Sequence, residues 1–322
     1  MTMNRFNSKL WPFKWNEAAT VIDASKIKDF LSCPRMFFYR HVLGWEVDRP
    51  NNHLAFGSAW HEAMEHLLLN GYDDESIMAA FDKFLACYRE QFPEETDELF
   101  APKTPMNALR ALQAYAEAWH NDDFKTLHTE IGGQISIDGK RSLAFRMDSV
   151  CERPDGSLFS LEHKTKGGAF TRVWIDQWPL SIQVGGYSHV LACLALDKPV
   201  RGVVINGAAF IKKRELCDFA FERVPVYRSP EHTQNWLFHI NHYFDQIETE
   251  LDQLWNNCKP SDTIMTAFPM NPESCTKYFG CQFFDFCNAW NNPLARCEEP
   301  PIGYVTRHWN PLDRPVKTEM NV

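Results

Sequence analysis

A chain of 322 residues with 44% apolar and 23% charged side chains has ample material for a core, which excludes a disordered chain and a small crosslink-dependent scaffold. Its formal charge of -9 excludes a protein that coats nucleic acid by bulk positive charge, so any contact with a phosphate backbone has to be local. No run approaches the roughly 18 consecutive apolar residues of a membrane span, and MTMNRFNSKLWPFKW lacks the apolar core of a secretory signal. The expectation is a protein without membrane association, working in the cytoplasm, or in the host's cytoplasm if a phage encodes it.

Residues 1–20, with Pro, Asn and Trp but no sustained periodicity, read as an N-terminal arm. Apolar residues then recur at helical spacing over 24–41, 57–70, 74–91 and 105–120, with Ser58 and Asp73 as N-caps. The part at about 72–122 reads as a helical insertion. From about 130 the texture changes to short runs of β-branched and aromatic residues at 130–137, 142–151, 157–164, 203–212 and 217–224, separated by turns such as Pro154-Asp155-Gly156. A helix at 176–196 interrupts them, a long one follows at 230–256, and 300–322 reads as a C-terminal tail. The sum is an α/β domain over 21–299 with a central mixed sheet flanked by helices, an N-terminal helical part and a Cys-rich segment near its end.

Asp148 lies near the end of one strand, and after the turn the next strand carries Glu162, His163 and Lys164. Side chains alternate faces with period two, so Glu162 and Lys164 share a face while His163 points away. Leu158, Phe159 and Leu161 surround the acid with apolar residues, where an unpaired charge is costly. Two carboxylates beside an ammonium suit phosphodiester hydrolysis: the acids hold Mg²⁺ or Mn²⁺ through oxygen, and the lysine orients water or stabilises the phosphate. The catalytic set predicted is Asp148, Glu162 and Lys164. Read alone, so short a pattern is more often an ordinary strand pair with solvated charges.

Together with GSAWHEAMEHLL upstream and SIQVGGYSHV downstream, these residues resemble the RecB-like branch of the PD-(D/E)XK nucleases, which includes recombination nucleases, phage exonucleases and the CRISPR-adaptation exonuclease family. The resemblance implies a restriction-endonuclease-like sheet. It also implies that His61, four residues after Gly57, joins Asp148 and Glu162 as a metal ligand. Gln183 and Tyr187 on one helical face would position the DNA strand or Lys164. Glu130 occupies the place of an acid on the preceding strand, and Glu65 shares the face of His61. Phe145 stands where the family often has Gly.

Cys275, Cys281 and Cys287 fall at matched intervals of six, a density that suggests a metal site. The resemblance adds Cys33, in LSCPRMFFYR, as fourth ligand of a [4Fe-4S] cluster that clasps sequence-distant segments. Four thiolates make a structural Zn²⁺ site equally well, and Cys297 or Cys258 are substitute ligands. Cys87, Cys151, Cys193 and Cys217 read as core or surface thiols. The function expected is a metal-dependent DNA exonuclease acting on single-stranded or frayed ends in recombination, repair or phage DNA metabolism. Trp174 and Trp178 beside Arg172 are candidates to stack bases, and the acidic balance leaves room for a protein partner that recruits DNA. The alternative is a DNA-binding accessory module with little or no cleavage. A redox enzyme finds no dinucleotide-type Gly-rich loop to support it.

Overall fold

A computed structural model describes residues 11–321 apart from 196, 215, 278, 279, 314 and 315. The expected arm over 1–20 lies outside the described residues up to residue 10; Glu17–Thr20 forms a short 3-10 turn capped by Asn16. In chain order the elements are α1 (Ala24–Ser32), α2 (Pro34–Phe37), β1 (Trp45–Val47), α3 (Asn52–Asn70), α4 (Asp74–Arg89), α5 (Pro105–Trp119), β2 (Lys125–Ser136), β3 (Ser142–Glu152) and β4 (Leu158–Gly167). They continue as α6 (Arg172–Asp176), α7 (Ile182–Ala195), β5 (Val200–Lys212), β6 (Cys217–Val226), α8 (Pro230–Asn257), α9 (Phe284–Ala289), β7 (Tyr304–Thr306) and β8 (Thr318–Asn321).

The chain divides into two compact units. One gathers the described residues of Met1–Asp48, Ile135–Phe145 and Asn235–Pro315, the other those of Arg49–Gln134, Arg146–Gln234 and Val316–Val322. The sheet runs in the order β6-β5-β4-β3-β2-β8. Its β4–β5 and β2–β8 pairs are parallel, whereas β3–β4 and β5–β6 are antiparallel, so it is mixed as expected. The β3–β4 connection turns through Gly156 at φ +78, a conformation glycine adopts without Cβ strain.

In the second unit α3, α4 and α5 pack together with β5. Phe56, Trp60, Phe84, Tyr88, Leu112 and Tyr115 are fully buried with Phe210, and alanines at 59, 63, 80, 108 and 111 let the backbones approach. Each large buried side chain contributes roughly 1.5–3 kcal/mol by leaving water. Helix α3 starts earlier than expected: Asn51, in extended conformation, accepts the N–H of His53 at 3.0 Å and of Leu54 at 3.3 Å. Ser58 is therefore an interior residue, not a cap. Asp73 does cap α4 by accepting from Ser76 N at 2.7 Å.

The first unit is aromatic. Phe37 stacks on Phe268, Tyr39 on Trp45, and Phe286 on Trp290. Arg35 crosses from α2 to donate to the Phe268 carbonyl at 2.8 Å. The segment 300–322, read from sequence as a tail, supplies two strands: β7 pairs antiparallel with β1, and β8 extends the sheet beside β2.

Candidate active site

The site begins where the ladder between β3 and β4 opens. Backbone pairing covers Cys151↔Phe159 and Glu152↔Leu158. Beyond it side chains take the place of backbone partners: Ser149 Oγ donates to the Leu161 carbonyl at 2.9 Å and accepts Leu161 N at 3.2 Å. One step further Asp148 Oδ2 accepts His163 N at 2.7 Å. A carboxylate fixed by a backbone donor is thereby aimed between the strands.

His61 of α3 enters the same gap. Its Nε2 lies 3.0 Å from the His163 carbonyl oxygen, and its Nδ1 lies 3.1 Å from Asp148 Oδ1. A carbonyl only accepts, so Nε2 carries a proton; Nδ1 then faces a carboxylate and needs either its own proton or a cation between the two. Burial pushes the His61 pKa down, but the field and hydrogen bond of Asp148 outweigh it and the net direction is up. Asp148 is the counterpart: burial would raise it, yet the field of His61, with its hydrogen bond and the fields of His163 and Lys164, holds it well below the usual carboxylate range.

Glu130 of β2 completes a group in which one ligand atom each from His61, Glu130 and Asp148 lies within 4.8 Å of the others. Its backbone is left-handed at φ +46, a conformation costing a non-glycine residue about 1–3 kcal/mol and concentrated at functional sites. Arg146 donates to its carboxylate from Nε at 2.8 Å. Burial, then Asp148, raises its pKa despite that arginine.

Glu162 is 2% exposed at its side chain and receives Lys164 Nζ on Oε1 at 2.5 Å. Its Oε2 is buried without a hydrogen-bond partner among the described residues. Burial, joined by the charge of Asp148, pushes this carboxyl up to about 7. Burial pulls the Lys164 ammonium down, but Glu162 and Asp148 leave it raised overall, so it is charged at neutral pH. The expected set is thus brought together on two adjacent strands, with one difference. The converging ligand atoms are those of His61, Asp148 and Glu130, while Glu162 turns one oxygen to Lys164 and leaves the other unpaired. One imidazole nitrogen with carboxylate oxygens, one of them orphaned, is a donor set that fits Mg²⁺ or Mn²⁺.

Behind β4, His163 accepts from Asn206 Nδ2 at 2.9 Å on Nδ1, and burial lowers its pKa to about 3, so the ring is neutral. Asn206 also donates to Tyr115 and accepts from Arg223, whose two Nη atoms grip Asp122 at 2.6 and 2.7 Å. Gln183 donates to Tyr187 at 2.8 Å, and Tyr187 donates to the Arg146 carbonyl two residues before Asp148; both residues therefore brace β3 from α7. Glu65, buried with Oε1 unpaired among the described residues, takes Lys317 on Oε2, and the Lys317 N–H donates to the Glu130 carbonyl at 3.1 Å. Lys317 escaped the sequence reading because no periodicity marks its segment. Glu130 was visible there only as an acid on the right strand.

In the first unit Cys33, Cys275, Cys281 and Cys287 line a single cavity of about 240 Å³ together with Arg40 and Lys277. Gly280, at φ +97, turns the chain so that Cys281 N donates to the Cys275 carbonyl at 2.8 Å. Asn271 N donates to Cys33 Sγ at 3.3 Å. Burial raises the Cys287 thiol to about 11, against the opposing charge of Arg35. Four sulfurs with cations alongside have the chemistry to hold an iron-sulfur cluster or zinc. Cys258 and Cys297 are engaged elsewhere, with Thr266 Oγ1 at 3.4 Å and the Leu294 carbonyl at 3.5 Å.

A family model described as the PD-(D/E)XK nuclease superfamily matches residues 22–288. Among solved structures, the crystal structure of SSO0001 is similar at 13% identity, covering 72% of this chain and 84% of that one, with a TM-score of 0.24. No curated protein matches significantly.

Proposed function

The chain belongs to the PD-(D/E)XK nuclease superfamily, and on that premise we propose that it is a Mg²⁺- or Mn²⁺-dependent deoxyribonuclease, an exonuclease acting on single-stranded or frayed DNA ends in recombination, repair or phage DNA metabolism. The observation that carries the reading is the convergence of His61, Glu130 and Asp148 beside the Glu162–Lys164 pair where β3 and β4 part.

His61, Asp148 and Glu162 would hold the divalent ion, with Glu130 as a further carboxylate. When bound, such an ion polarises a phosphate and lowers the pKa of water. The protein's own residues do the rest. His61 would offer the ion Nδ1, the nitrogen that faces Asp148 Oδ1 at 3.1 Å, once the proton on it has passed to solvent. Asp148 stays ionised across neutral pH and stays aimed because His163 N holds its second oxygen. Lys164, charged and tethered by Glu162, stabilises the phosphate's developing charge or orients the attacking water. Gln183 and Tyr187 hold β3 in register and are proposed to act on the DNA strand through it.

Cys33, Cys275, Cys281 and Cys287 are proposed as ligands of a [4Fe-4S] cluster, zinc being the other occupant to test. Cys33 and the other three stand more than 200 residues apart in sequence, so the bonds would clasp distant segments of one unit.

Incubation of labelled single- and double-stranded DNA with Mn²⁺ or Mg²⁺ tests the activity, with Lys164→Ala and Asp148→Ala as controls. Degradation that survives either substitution refutes the assignment, and binding without product in every metal favours an accessory DNA-binding module. Purification without oxygen, followed by visible absorbance and iron analysis, tests the cluster; a colourless protein with stoichiometric zinc refutes it.

A further inference from the structure

The second unit buries a cation that the hydrolytic machinery does not use. Lys103, at the entry to α5, is 5% exposed. Its Nζ donates to Thr165 Oγ1 at 2.8 Å and lies 5.4 Å from the centre of the Phe56 ring. Among the described residues it forms no ion pair, although a buried charge is expensive unless countered. An ammonium has three N–H donors and one is satisfied.

The surroundings point to the missing partner. Thr165 follows Lys164 directly on β4, and unlike Lys103 it is partly exposed, so the buried amine bonds a residue that itself reaches the surface. Gly57 of α3 faces the same hydroxyl: a Cβ there would meet Thr165 Oγ1 at 4.0 Å and nothing nearer, so its absence keeps room beside the hydroxyl. His61 lies one helical turn further along α3. An anion received by Lys103 and Thr165 would therefore lie near the end of β4 on the face that His163 takes, the face from which His61 approaches, and across the strand from Lys164.

We propose that Lys103 and Thr165 form a second phosphate subsite, which grips a phosphodiester of the substrate strand neighbouring the one that is cut. The proposal rests on the nuclease reading for the identity of the anion. Burial lowers the Lys103 pKa to about 8, and an arriving phosphate would favour the charged form.

Fluorescence anisotropy of a labelled single-stranded oligonucleotide, with the full chain in Ca²⁺ over a series of salt concentrations, tests this. Lys103→Met is expected to weaken binding roughly tenfold and to lower the salt slope by about 0.7, the share of one phosphate contact on a single strand. Lys103→Arg should restore most of the slope, and Thr165→Val should weaken binding less than Lys103→Met. Thermal melting separates binding from structure: deleting an uncompensated buried charge leaves the melting temperature unchanged or raises it. Unchanged affinity and slope overturn the proposal, as does a melting temperature that falls along with the affinity. Wild-type protein that binds the oligonucleotide but cuts no DNA in Mg²⁺ or Mn²⁺ would refute the nuclease reading while the Lys103 comparison still decides the subsite. Wild-type protein that cuts DNA with Lys103→Met binding like it would do the reverse.

Discussion

Arg223→Met tests the support behind the site. The guanidinium makes two short bonds to Asp122, reaches Tyr115 at 3.1 Å and Asn206 at 3.3 Å, and lies 3.7 Å over the Trp119 ring. Both charges are largely shielded, at 16% and 13% side-chain exposure. Removing one partner of such a pair costs about 3–5 kcal/mol because the other is left uncompensated, and the lost ring contact adds about 1 kcal/mol. Methionine returns part of the packing, so the expected loss is about 4 kcal/mol, read from urea denaturation followed by tryptophan fluorescence. Most of it is the orphaning of Asp122, so Arg223→Met with Asp122→Leu should be more stable than Arg223→Met alone. A single variant within about 1 kcal/mol of the wild type, or a double variant as unstable as the two losses summed, would refute the reasoning.

In metal-free buffer, Glu162→Gln should flatten the pH dependence of stability. A carboxyl raised from 4.5 to about 7 is stabilising to the fold below about pH 4.5 and loses that contribution as pH climbs through 7, whereas the amide has nothing to ionise. Melting curves in EDTA at acid and mildly alkaline pH check it, and an equal pH dependence in both proteins contradicts it. Mn²⁺ or Mg²⁺ should raise the wild-type melting temperature, by the equivalent of about 2.7 kcal/mol at a hundredfold excess over Kd. The gain should be larger above neutral pH than below, because protons on His61 and Glu162 compete with the ion. Cys33→Ser or Cys287→Ser should abolish the visible absorbance and iron of anaerobically purified protein, while Lys164→Ala keeps both.

Most elements were legible because their signal is local. The strands around Asp148 and Glu162 announce themselves by β-branched runs ending in Pro154-Asp155-Gly156, and Asp73 is a cap with a helix behind it. The start of α3 was misread because NNHLAF offers Asn51 seven residues before Ser58, and capping depends on an extended backbone that composition does not report. Strands β7 and β8 left no trace because segments of three and four residues are too short to show an alternating pattern. Within the site, the acid-and-lysine pair was legible as chemistry. The direction of Glu130 was not, since it depends on a left-handed backbone, nor was Lys317, which reaches Glu65 from 252 residues away.

The charges of the site give the proposed divalent ion an electrostatic rationale. Asp148, Glu130 and Glu162 stand against Arg146 and Lys164, three negative groups to two positive, which leaves one net negative charge. The metal-free protein settles this with protons, as the upward shifts of His61 and Glu162 record. At a pH where those protons have left, a divalent cation would carry the site from one net negative to one net positive charge. That is the complement of a single phosphodiester, so metal and substrate favour each other's binding even without contact between them. A monovalent ion would only bring the site to neutrality, and DNA affinity should accordingly rise with Ca²⁺ but not with an equal ionic strength of Na⁺. Equal affinity under the two conditions would remove the electrostatic argument for the site.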